Sequence, residues 1–79
     1  MVRANGRTYT VILQEETDPD FQGYFNVSVP ALPGCFTYGK NREEALTHAR
    51  EAIEVYLEDL EESGEEIPEE RIETVGVSV

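Results

Sequence analysis

Carboxylates are the most abundant chemically capable groups in this sequence, with 17 Asp and Glu against 6 Lys and Arg and a net charge of −11. Metal-dependent hydrolysis would need several of them converging on two cations about 4 Å apart. The spacing does not offer that. Glu15 and Glu16 end an apolar run, Asp18 and Asp20 lie in a turn, and the apolar runs themselves hold almost no acids. Cys35 follows Pro33-Gly34 with no base nearby in sequence, whereas a nucleophilic thiol needs a lowered pKa and an assisting group. It reads as a small side chain packed beside the turn. His48, the one histidine, defines no metal site alone, and no Ser/Asp partner completes a triad. One turn after Glu44 on an expected helix, it reads as an exposed helix-pairing residue. No catalytic residue, metal ligand or cofactor is expected.

The densest charge runs from Glu58 to Glu70, eight acids in thirteen residues with no base among them. Glu58, Asp59, Glu61 and Glu62 would crowd the carboxyl end of a helix, where the macrodipole and like-charge neighbours cost about 1 kcal/mol. A basic protein partner would give that cluster a use; a solvated, salt-screened helix end is the plain alternative. Surplus acid also serves solubility. These four acids are candidate partner-binding residues, together with Tyr24 and Tyr38, since exposed aromatics anchor interfaces. The charge sign excludes unaided binding to phosphate backbones and to anionic membranes.

The elements that must position these groups follow from periodicity. From Thr8 to Gln14, Tyr9, Val11 and Leu13 alternate with polar residues, which predicts a strand. Glu16 to Asp20 breaks the pattern. A second strand over 23–29 places Phe25, Val27 and Val29 on one face, and the short link implies an antiparallel hairpin. Pro33-Gly34 suits the centre of a type II turn. Cys35–Tyr38 reads as a third strand ended by Gly39. Asn41 can cap a helix from about Arg42 to Ser63, with Glu44 completing a capping box and Gly64 as the stop. Ala45, Ala49, Ala52, Ile53, Tyr56 and Leu60 share one helix face. Val75, Val77 and Val79 alternate with polar residues and predict a last strand over 72–79. The fold class is α+β in the order β-β-β-α-β. One helix covers only one face of the antiparallel sheet, so the face with Ile12, Tyr24 and Asn26 must meet solvent or a partner.

The run Tyr9-Thr10-Val11-Ile12-Leu13, then Gly23-Tyr24-Phe25 and Ser28-Val29-Pro30-Ala31-Leu32-Pro33-Gly34-Cys35, resembles the HicB-type antitoxin domain. Thr37, Gly39, Glu43-Glu44-Ala45, Ala49-Arg50-Glu51-Ala52-Ile53 and the connection from Gly64 to Ile67-Pro68 extend the likeness over about residues 9–68. The resemblance implies a partial RNase-H-like fold without nuclease chemistry. It also implies neutralisation of a small, basic HicA-type mRNA-endonuclease toxin, and homo-oligomers. Many members carry a carboxy-terminal DNA-binding segment; this sequence ends at Val79, so a single domain over 1–79 is expected, without operator binding. A solitary homo-oligomeric protein with no cognate toxin is the other reading. A chain of this size buries only about 60–65% of its surface on folding, which favours association with itself or a partner. The unpaired cysteine and the lack of any apolar stretch near the ~20 residues of a membrane span point to the cytoplasm.

Overall fold

The computed structural model describes residues 1–78; Val79 lies outside the described residues. The chain opens with a hairpin, β1 (Val2–Ala4) against β2 (Arg7–Tyr9), in the register Val2↔Tyr9 and Ala4↔Arg7. Its two-residue turn is Asn5-Gly6, both in the left-handed region at φ 53° and 75°, as a tight antiparallel hairpin requires. The next strands are β3 (Ile12–Glu15), β4 (Phe25–Ser28) and β5 (Phe36–Gly39), forming a three-stranded antiparallel sheet in the order β3-β4-β5. A single 3-10 turn at Pro19–Phe21, capped by the Asp18 carboxylate accepting from the Asp20 N–H, links β3 to β4.

The class is α+β, and β3-β4-β5-α1 reproduces the first four elements of the expected order. Two details differ. The strand expected over 8–14 is two strands, broken at Thr10-Val11, where the Thr10 N–H and hydroxyl both donate to the Glu70 carboxylate. The strand expected over 72–79 is absent among the described residues: 72–78 have no regular structure, and Val75 and Val77 are exposed. Alternation makes a strand only where a free edge lies alongside in register. The returning chain is held by its loop instead, through Glu70 and through the Tyr9 hydroxyl donating to the Pro68 carbonyl at 2.8 Å.

The turn before β5 has the expected geometry. The Cys35 N–H donates to the Leu32 carbonyl at 3.0 Å, and Gly34 sits at φ 80°, the position where a type II turn demands glycine. Helix α1 spans Arg42–Glu62. The Asn41 side chain accepts from the Glu44 N–H at 2.8 Å, while the Glu44 carboxylate reaches back to the Lys40 N–H at 3.1 Å. At the far end the Gly64 N–H donates to Glu61 and the Glu65 N–H to Leu60, with Gly64 at φ 68°; this paired closure satisfies the last carbonyls.

Ala45, Ala49, Ile53 and Leu57 of α1 are fully buried against Val27, Val29, Leu32 and Cys35, with Val2, Ala4 and Tyr9 of the hairpin completing the core. Gly39 lets the helix come close, because a Cβ there would stand 2.2 Å from the Ala45 nitrogen. The molecule is only 19 Å deep in its thinnest direction, about one helix on one sheet.

Candidate functional site

The helix covers one side of β3-β4-β5 and leaves the other open. Cross-strand register puts Ile12, Ser28 and Phe36 in one row on the open side, and Gln14, Asn26 and Tyr38 in the next. Leu13, Val27 and Thr37 face the helix between them. Period-two geometry dictates that division. Phe36 is 72% exposed, Tyr38 57% and Ile12 47%. Aromatic rings continue across the face: Phe21 meets Tyr24 edge-on at 5.4 Å, and Tyr24 stacks near Tyr38 at 6.3 Å. These separations are those at which aromatic pairs attract.

Between these rings lies a recess of about 320 Å³, bordered by Glu16 and Lys40. The Glu16 carboxylate accepts from the Asn26 amide at 2.9 Å and from the Thr17 and Asp18 N–H groups. Those bonds, Asn26 foremost, hold the Glu16 carboxyl below the usual range.

A second depression, about 550 Å³, separates the outer edge of β5 from α1 and is bordered by Phe36, Tyr38, His48, Val55, Tyr56 and Asp59 among others. The Val29 N–H donates to Cys35 across β4 and β5, so alternation turns the main-chain groups of Phe36 and Tyr38 outward. The Tyr38 carbonyl is taken by His48 Nδ1 at 2.6 Å, with the two rings edge-on at 6.5 Å. His48 is therefore a half-buried clasp between helix and strand, not the exposed pairing residue expected. The Tyr56 hydroxyl makes a similar clasp to the Pro33 carbonyl at 2.9 Å. Cys35 is buried at the inner wall, and burial pushes its thiol up, away from nucleophilic character.

Glu58, Asp59, Glu61 and Glu62 are exposed at the carboxyl end of α1, with no basic residue in the last turn. Among the described residues the one ion pair joins Arg71 to Glu69 at 3.6 Å, so the helix acids are uncompensated. Tyr24 and Tyr38 lie together on the sheet face, while the four acids lie elsewhere; Asp59 alone shares a depression with Tyr38. Glu70, counted in the acidic run, is a structural ligand of Thr10. Among the described residues, no three His, Cys, Asp or Glu side chains converge to hold a metal, and no helix is long and apolar enough to cross a membrane.

Sequence reasoning missed Phe21 as part of the aromatic face and the Asn5-Gly6 hairpin. The second carried a readable signal, since Asn-Gly between short apolar runs marks a tight turn.

Fold and surface thus define a small α+β protein with an acidic helix on one side and a nearly neutral aromatic sheet face on the other. The family described as HicB-like antitoxin of bacterial toxin-antitoxin system matches residues 9–76, and the chain belongs to it. It is 48% identical to a UPF0150 protein of Thermoplasma acidophilum over 69 residues, 87% of this chain and 94% of the relative. A UPF0150 protein of Helicobacter pylori is 47% identical over 51 residues, 65% of this chain and 69% of the relative. A third, from Synechocystis, is 39% identical over 62 residues, covering 78% and 73%. No solved structure matches the chain.

Proposed function

We propose that this chain, as a single HicB-like domain in the cytoplasm, binds a small basic HicA-type mRNA-endonuclease toxin and covers its RNA-binding surface. The observation that carries the reading is the uncompensated acid on the solvent side of α1, from Glu51 through Glu62. A basic RNA-binding surface complements that field, which accelerates encounter and selects the partner. Glu58, Asp59, Glu61 and Glu62 engage the toxin's cations, and the folded body excludes RNA by its bulk. The activity is binding, without catalysis. The chain also associates with itself, consistent with its small core and open sheet.

Co-expression with a HicA-type toxin, taken from beside the gene if a short basic reading frame lies there, tests the proposal. Growth is rescued, and the two proteins co-purify in a complex that weakens as salt rises. Replacing the four helix-end acids by Gln and Asn weakens the complex at least tenfold. Undiminished mRNA cleavage in the presence of excess chain would refute the reading.

A further inference from the structure

We propose that the open face of the β3-β4-β5 sheet is a homodimer interface, on which a second copy packs sheet to sheet. The proposal rests on the self-association in the reading above and names its surface.

Three observations select the occupant. The face is apolar where a solvated sheet would be polar: Ile12, Phe36, Tyr38 and Phe21 are each at least 47% exposed on or beside it, with Tyr24 at the end next to the 3-10 turn. It is also close to neutral. Its remaining outward residues are Gln14, Asn26 and Ser28, and the recess at one end of it is bordered by one acid, Glu16, and one base, Lys40. The −11 charge of the chain therefore resides on other surfaces.

Charge then decides the partner. Two copies of so acidic a chain repel each other through α1 or through the segment after it. The sheet face is where they can touch with Glu16 offset by Lys40, and a self-complementary, nearly neutral patch is what a two-fold dimer requires. In that arrangement both helices lie on the outside. They are separated by two sheets and the ~10 Å between packed sheets, well beyond the ~8 Å screening length at physiological salt. The acidic helices stay free for a different partner. Aromatics on a three-stranded sheet also suit stacking on single-stranded RNA, but the acid surrounding this one repels phosphate.

Sedimentation velocity on the whole chain, from about 1 to 200 µM, tests the proposal. The expected result is a reversible dimer of the 8.9 kDa chain within that concentration range. Raising salt from 50 to 500 mM leaves the dimer as strong or strengthens it, opposite to the salt response of toxin binding. Ile12→Glu and Phe36→Glu each weaken it at least tenfold. Both positions are exposed, so circular dichroism melts stay close to the parent. Val55→Glu, on the helix side of the β5 edge depression, leaves it unchanged. A monomer at every concentration removes self-association together with this surface. A dimer untouched by Ile12→Glu, or broken equally by Val55→Glu, overturns the surface and leaves self-association standing.

Discussion

Replacing Gly39 by Ala adds one methyl group at the point where α1 crosses β5. The added Cβ would stand 2.2 Å from the Ala45 nitrogen, 2.5 Å from its Cα and 2.8 Å from the Glu44 carbonyl carbon. All three are backbone atoms, so no side chain can swing away. Ordinary contact begins near 3.4 Å, so the helix must retreat by about 1 Å at its first turn. Ala45, Ala49 and Ile53, all fully buried, then lose contact with the sheet. Overpacking alone costs about 1–3 kcal/mol, and the loosened helix brings the expected loss to ~3 kcal/mol. A domain of this length holds only about 4–12 kcal/mol in total. At about 4–8 °C per kcal/mol, the melting temperature falls by roughly 12–24 °C. Gly34→Ala is the paired control. It meets no atom within 4 Å but sits at φ 80°, so it suffers only the left-handed backbone cost of about 1–2 kcal/mol. Urea denaturation followed by circular dichroism measures both. A Gly39→Ala variant within about 1 kcal/mol of the parent, or more stable than Gly34→Ala, would falsify the close-approach reasoning.

Four further outcomes follow from named contacts. Tyr9→Phe deletes the hydrogen bond to Pro68 and lowers stability by about 1 kcal/mol in the same urea assay. Glu70→Ala frees the Thr10 N–H and hydroxyl and costs about 1.5–3 kcal/mol, and amide exchange at Thr10 accelerates; equal exchange in both proteins contradicts the assigned role. Glu16 titrates below an ordinary glutamate, mainly through Asn26. Its stabilisation is complete above the unfolded-state pKa and is lost as pH falls through the lower folded value. Carboxyl NMR titration should show Asn26→Ala returning Glu16 toward normal. Native Cys35 resists a thiol reagent at neutral pH and reacts fully once unfolded, because burial raises its pKa; fast native labelling would count against the buried assignment.

The local elements were legible because their signals are local. Asn41 and Gly64 bracket α1, one residue before its observed start and two after its observed end, and Pro33-Gly34 takes the turn that its φ preferences dictate. Period two in β3, β4 and β5 separates Val27 from Asn26 and so identifies the uncovered face before any coordinates. The run of acids likewise marked Glu58–Glu62 as the acidic end of the helix. Only tertiary structure decided the rest. Glu70 and Thr10 lie sixty residues apart, and nothing in either neighbourhood marks one as the other's ligand. That contact divides the first expected strand. The valines of 72–78 alternate as a strand should, yet they pair with no strand edge, and a ladder is a property of two segments. His48 became a clasp on Tyr38 through the helix's angle to β5, set by Gly39 and Ala45. Sequence determined which surface is acidic and which is aromatic; packing determined which aromatics share one face, because only register brings separate strands into a common row.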